Sequence, residues 1–201
     1  MTAHSALFLD RDGIINVDRG YVHTIEEFEF TPGIFDLARF WVHAIGRPII
    51  VTTNQSGIGR GYLDETSFAQ LTEWMCSRFE SERAPIARVY HCPFHPEHGV
   101  GSYKADHGWR KPAPGMFLQA ASDFDLNLAR CIAVGDRMSD IEAAAAAGIG
   151  LRILVQAKDL EPAPGAPSYA YASDLRAALA ILRAHVSASA RGLASSLNLP
   201  Q

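Results

Sequence analysis

Three cysteines in 201 residues, Cys76, Cys92 and Cys131, are too few and too widely spaced for a disulfide framework. We therefore expect a reducing, cytoplasmic compartment. No apolar run reaches the length of a membrane-spanning helix, and the first one, Ala6–Leu9, leads straight into acids. The N-terminus lacks a basic stretch followed by an apolar one, so no secretory leader is expected. Lys and Arg never form a run, and 18 basic against 22 acidic residues leave a net charge of −4. The absence of such a run argues against a tail or face built for nucleic acid. Any anionic small molecule must be drawn by local cations rather than by the field of the whole protein. Internal repeats, linkers between two cores and apolar surface stripes are also missing. We expect one domain over residues 1–186, a loose Ser-, Ala- and Gly-rich tail over 187–201, and a monomer.

Short apolar runs alternating with segments of helical period predict an α/β protein, with a parallel sheet flanked by helices. Strands are expected at Ala6–Leu9, Pro48–Val51, Ala87–His91, Cys131–Val134 and Leu151–Val155. Thr31 reads as a helix N-cap with Pro32 at the first helical position, followed by an apolar face of Ile34, Leu37, Trp41 and Ile45. Asp64 is expected to cap a second helix whose buried stripe is Phe68, Leu71, Met75 and Phe79. Further helices are expected at Gly115–Phe124, at Asp140–Ala147 closed by Gly148, and at Asp174–His185, the last preceded by a loop at Glu161–Gly165. The stretch from Cys92 to Pro114 is rich in His, Pro and Gly without periodicity, and so long a loop in a compact domain is more often functional than filler.

The polar clusters all follow expected strands, at the sheet edge where α/β proteins bind ligands. Asp10-Arg11-Asp12-Gly13 follows the first strand, Thr53-Asn54-Gln55-Ser56-Gly57 the second, and Gly135-Asp136 with Asp140 the fourth; Arg110-Lys111-Pro112 lies in the loop before it. Acids gathered at one edge repel each other unless a cation sits between them, and Mg²⁺ with oxygen ligands relieves that conflict. The set matches phosphoryl transfer: Asp10 attacks phosphorus, Asp12 protonates the leaving oxygen and later activates water, Thr53 and Lys111 hold the phosphoryl oxygens, and Asp136 completes the metal shell.

These motifs, in this order, resemble those of the haloacid dehalogenase (HAD) superfamily. More narrowly, Asn16–His23, Phe28–Phe30, Leu71–Met75 and Lys111–Met116 are similar to the D-glycero-D-manno-heptose 1,7-bisphosphate 7-phosphatase family, over about residues 5–155. The resemblance implies a three-layer Rossmann-like domain with helices on both faces and no large cap. It implies a Mg²⁺-dependent phosphoric monoester hydrolase that removes the 7-phosphate of a heptose bisphosphate, in the making of nucleotide-activated heptose for surface polysaccharide such as lipopolysaccharide. Mg²⁺ would sit on Asp10, Asp12 and Asp136. Substrate contacts would come from Asp18, Gly20, Tyr21, Thr53, Asn54, Gln55, Arg110, Lys111 and Arg137, with Arg110 gripping the second, non-reacting phosphate.

Two departures stand out. Members of this family often carry a zinc loop of Cys and His, yet here Phe94, His107 and Trp109 occupy three of its positions. The set Cys92, His95, His98 and His107 offers substitute zinc ligands, against the favoured reading of ordinary loop histidines and one buried thiol, without zinc. Arg19 stands where close relatives can have His, adding a cation beside a phosphate site. The runner-up reading is a histidinol-phosphate phosphatase or another small sugar-phosphate phosphatase. A polynucleotide 3′-phosphatase lacks its basic stripe here. A non-enzymatic sugar-phosphate binder would have lost Asp10, Asp12, Lys111 or Asp136, and all four are present.

Overall fold

The structure, a computed structural model, describes residues 4–155 and 165–197. Strand β1 is Leu7–Leu9 with all three residues buried, as a central strand covered on both faces requires. The chain continues through α1 (Ile34–Ile45), β2 (Ile49–Asn54), the short α2 (Ser56–Gly59), α3 (Glu65–Ser81) and β3 (Ile86–Cys92). A long loop with one 3₁₀ turn then leads to α4 (Gly115–Phe124), β4 (Ile132–Gly135), α5 (Met138–Ala146), β5 (Leu151–Val155), β6 (Ala170–Ala172) and α6 (Leu175–Leu197).

The strands pair in parallel in the order β3-β2-β1-β4-β5-β6. The chain moves outward from β1 on one side, then crosses back to β4 on the other. That reversal opens a crevice beyond the C-terminal ends of β1 and β4, where ligands bind in this topology.

Alternation along the strands sorts the core into two layers. Leu7, Leu9, Val51, Val134 and Ile153 face a cluster with Leu37 and Trp41 of α1, Met75 and Phe79 of α3, and Leu182 of α6. Phe8, Ile50 and Ala133 face the opposite way, onto Met116, Phe117 and Ala120 of α4 and Ala143 and Ala144 of α5. The alanine run of α5 lets that helix lie close to the sheet, which matters because α5 carries part of the site. The three-layer α/β class is therefore as expected, and no cap domain is inserted among the described residues.

Helix α4 and strand β5 have the expected bounds, and Asp64 caps α3 by accepting from Ser67 N at 2.7 Å. The four-residue stripe of α3 is buried. On α1, Ile34, Leu37 and Trp41 are buried while Ile45 is half-buried. Its expected start is corrected: Gly33 has φ 94°, outside helical backbone, and forms the N-terminus in place of Thr31. The Thr31 hydroxyl is buried without a partner among the described residues, while its carbonyl accepts from Ile34 N.

The terminal helix is longer than expected and runs to Leu197, so the backbone from Ser187 to there is helical rather than a loose tail. Its composition explains this: alanine recurs, and no proline interrupts before Pro200. Residues 161–164 of the expected Glu161–Gly165 loop lie outside the described residues. No helix among the described residues is long and apolar enough to cross a membrane.

Candidate active site

Strand β1 hands the chain to Asp10, whose N–H donates to Val134 O at 3.0 Å and so holds the residue in the crevice beside β4. Strand β4 ends at Gly135, Asp136 follows, and Asp140 lies in the first turn of α5. There its Oδ2 accepts from Arg137 N at 3.0 Å, and the helix dipole favours the carboxylate charge. Carboxylate oxygens of Asp10, Asp136 and Asp140 lie within 4.8 Å of one another. Two glycines permit this convergence. A Cβ at Gly13, which has φ +91°, would fall 2.2 Å from Asp136 Oδ2, and one at Gly135 would fall 2.3 Å from Asp140 Cβ.

Lys111 enters from the loop before α4. Its Nζ lies 2.9 Å from Asp10 Oδ1 and 2.6 Å from Asp140 Oδ1, and donates to Thr52 O at 2.9 Å. All three ammonium donors are thereby engaged. Asn54 at the end of β2 fixes this lysine: its Oδ1 accepts from Lys111 N and its Nδ2 donates to Lys111 O, both at 3.0 Å. Sequence reading gave Asn54 only a substrate contact; its side chain also clamps the lysine backbone.

The electrostatics follow from burial. Asp10 and Lys111 are 8% and 4% exposed. Burial, with added repulsion from Asp140 and Asp12, pushes Asp10 up to about 7 against the pull of Lys111. Burial and the charges of Asp10 and Asp140 push Asp136 up to about 8. Burial opposes the Lys111 charge, but Asp10 and Asp140 outweigh it and carry its pKa above the ordinary lysine value. Asp136 Oδ1 is buried with no hydrogen-bond partner among the described residues. Were all three carboxylates ionised, the single ammonium of Lys111 would leave two negative charges. A hard divalent cation fits that deficit and the all-oxygen donor set.

Asp12 departs from its expected place. Its carboxylate is absent from the acid cluster and is held by Arg11 (2.8 and 3.1 Å), Asn16 (3.0 Å) and Gln55 (2.8 Å). Arg11 itself is 1% exposed and also donates to Val22 O. A buried guanidinium thus pairs with the Asp12 carboxylate and fixes its orientation at the cavity wall. Asp140 takes the third position in the cluster. The sequence signal for it was present, an acid four residues after Asp136 in a first helical turn, but spacing alone does not say which way a side chain points.

A cavity of about 440 Å³ opens over these groups, within the usual range for small-molecule sites. Asp10, Asp12 and every expected substrate contact line it: Asp18, Gly20, Tyr21, Thr53, Asn54, Gln55, Arg110, Lys111 and Arg137. So do Ser56, Gly57, Arg60, Ser139 and Asp140, to which sequence reading gave no role in contacting substrate. Thr53 is buried and accepts from Gln55 Nε2 at 2.9 Å. Asp18 accepts from Gly20 N at 2.9 Å and pairs with Arg137 at 2.8 Å, joining the first loop to the start of α5. Arg19, expected as an extra cation at the site, is instead paired with Glu29 and does not line the cavity.

The substitute zinc set is not gathered. Among the described residues Asp10, Asp136 and Asp140 are the group of His, Cys, Asp or Glu close enough to share an ion. Cys92 is buried, with its thiol pKa raised mainly by burial. The His107 ring lies flat on Phe94, centroids 4.3 Å apart, and His95 Nδ1 accepts from the backbone of Glu97 and His98.

A family profile described as HAD-hydrolase-like matches residues 108–178. Over 154 residues the chain is 54% identical to the D-glycero-alpha-D-manno-heptose-1,7-bisphosphate 7-phosphatase of Burkholderia mallei, covering 77% of this chain and 81% of that protein. It is 46% identical over 154 residues to the D-glycero-beta-D-manno-heptose-1,7-bisphosphate 7-phosphatase of Vibrio cholerae, covering 77% and 82%. A crystal structure of D,D-heptose 1,7-bisphosphate phosphatase from B. bronchiseptica, complexed with magnesium and phosphate, superposes with a TM-score of 0.76 at 29% identity, covering 90% of this chain and 99% of that one.

Proposed function

The chain belongs to the D-glycero-D-manno-heptose-1,7-bisphosphate 7-phosphatase family of the HAD superfamily, and from that premise we propose that it hydrolyses the 7-phosphate of this heptose bisphosphate with Mg²⁺ as cofactor. The observation that carries the reading is the acid cluster at the β1–β4 crevice, where three buried carboxylates converge on one ammonium, that of Lys111, and can all ionise only with a further cation.

Asp10 and Asp136 would hold the ion with their carboxylates. Asp12, whose carboxylate is engaged elsewhere, has its main-chain carbonyl left to offer. Bound there, magnesium supplies charge neutralisation for the acids and for the phosphoryl oxygens. Asp10 attacks phosphorus and the ester P–O bond breaks, leaving an aspartyl-phosphate. Asp12, at the cavity wall, gives a proton to the departing alkoxide, then takes one from the water that releases phosphate. Lys111 and Thr53 stabilise the equatorial oxygens. Asp140 holds Lys111 rather than the ion. The product keeps its anomeric phosphate, which is what a nucleotidyl transfer to make an activated sugar consumes. A monomer acting in the cytoplasm completes the reading.

A panel of heptose 1,7-bisphosphate, histidinol phosphate and simple sugar monophosphates, with metal content measured on the same sample, tests it. Heptose bisphosphate should give the highest kcat/KM, with release abolished by chelation. Faster turnover of histidinol phosphate would remove the substrate assignment while leaving the chemistry in place.

Metal binding should also expel protons. With Asp10 pushed up to about 7 and Asp136 to about 8, most of their protons are still bound at pH 7. Magnesium needs ionised ligands, so binding at pH 7 should release protons, and affinity should climb as pH rises through the range where Asp10 and Asp136 titrate. Calorimetry in buffers of different ionisation enthalpy reads this directly; a buffer-independent heat would contradict the buried acid cluster.

A further inference from the structure

Resting on the bisphosphate reading above, we infer that Arg60 is a second guanidinium for the non-reacting phosphate, forming with Arg110 a two-cation clamp that selects bisphosphate over monophosphate substrates. Arg60 follows α2 and lines the cavity together with Arg110. The other cations of the cavity are spoken for: Lys111 by Asp10 and Asp140, Arg137 by Asp18. Arg60 and Arg110 make no ion pair among the described residues. Arg110 reaches only a carbonyl, that of Phe94, at 3.2 Å, and Arg60 Nε is buried without any hydrogen-bond partner. Burying a polar group unpartnered is costly, and two guanidiniums facing one cavity, neither paired with any of its acids, is the arrangement a dianion resolves. Burial holds Arg110 below its ordinary value, and the Arg60 charge adds to that.

The position of Arg60 is built rather than incidental. Its guanidinium carbon stands 5.7 Å from the ring centroid of Tyr21, a cation–π contact that orients the head group. Tyr21 in turn packs edge-on against Tyr62, centroids 4.8 Å apart. A Cβ at Gly57 would fall 2.9 Å from Tyr21 Cδ1, and one at Gly59 2.3 Å from Pro93 O, so only glycines let α2 sit this close to both neighbours. Gly59 O accepts from Val100 N at 2.7 Å, which ties α2 to the long loop that also carries Arg110. The loop without periodicity therefore sets the spacing of the two cations.

The test is the ratio of kcat/KM for heptose 1,7-bisphosphate to that for heptose 7-phosphate, in wild type and in Arg60→Met. Losing one charged hydrogen-bonding partner should cut the ratio about 10- to 100-fold, mainly through KM for the bisphosphate. Arg60→Lys, which keeps the charge but loses the fork, should cut it several-fold, and it decides the matter if the methionine variant does not fold. A high wild-type ratio that neither variant changes overturns the clamp alone. A wild-type ratio near one overturns the bisphosphate reading on which the clamp rests.

Discussion

Asp10→Asn should lower magnesium-dependent phosphate release by on the order of 10⁴- to 10⁶-fold, the scale seen when a covalent nucleophile is removed. The amide is nearly isosteric but cannot form the aspartyl-phosphate. What separates this loss from simple unfolding is the stability expected of the same variant. An acid whose folded pKa, about 7, exceeds its ordinary 3.8 is ionised first in the unfolded chain. Its contribution to folding is therefore eroded as pH rises from about 4 and is fully unfavourable above the folded value. A neutral amide escapes that penalty. In metal-free buffer at pH 8.5 the asparagine variant should melt no lower than wild type, while losing the stabilisation that added magnesium gives the wild-type protein. Residual release near wild-type level would remove Asp10 as nucleophile, and a lower melting temperature would contradict the charge account of the cluster.

Lys111→Met should be the most damaging single change to the fold of the site. Lys111 is the ammonium bonded to both Asp10 and Asp140, and its loss leaves buried carboxylates uncompensated. Removing one partner of a buried ion pair costs about 3–5 kcal/mol, or roughly 6–20 °C in Tm for a domain of this size. Because the damage is electrostatic, it should shrink on lowering the pH to about 5.5, where Asp10 and Asp136 hold their protons, and on adding magnesium. Activity should fall at every pH. Thermal melts of the variant at pH 5.5 and 8.5 provide the check: an equal loss at both would mean that packing, not charge, is what Lys111 contributes.

The architecture was largely legible in the sequence because it rests on periodicity. The four-residue apolar stripe of α3 and the bounds of α4 and β5 follow directly from where apolar residues recur. The strand β6 was not foreseen, since three residues of alternating Ala and Tyr carry too little pattern. The start of α1 was misread because Thr-Pro is a good helix opening, whereas a glycine two residues after Thr31 adopts a left-handed backbone that no propensity scale reveals. At the site, residues at strand ends were found because topology alone brings strand ends together. Direction was not legible. Asp12 and Asp140 both lie a few residues beyond a strand, and only the packed structure assigns one to Arg11 and the other to Lys111. Arg60 carried no signal at all, for an arginine after a glycine-rich turn reads the same on any surface.

The two glycines that admit Asp136 and Asp140 have a bearing on transplanting this chemistry. A designer who copied the four charged residues onto another parallel sheet, leaving alanine at positions 13 and 135, would be setting side-chain carbons far inside van der Waals contact with the aspartate side chains themselves. The minimal portable unit is thus six residues, two of which have no functional group. Their contribution is room, and it cannot be recovered by optimising the other four.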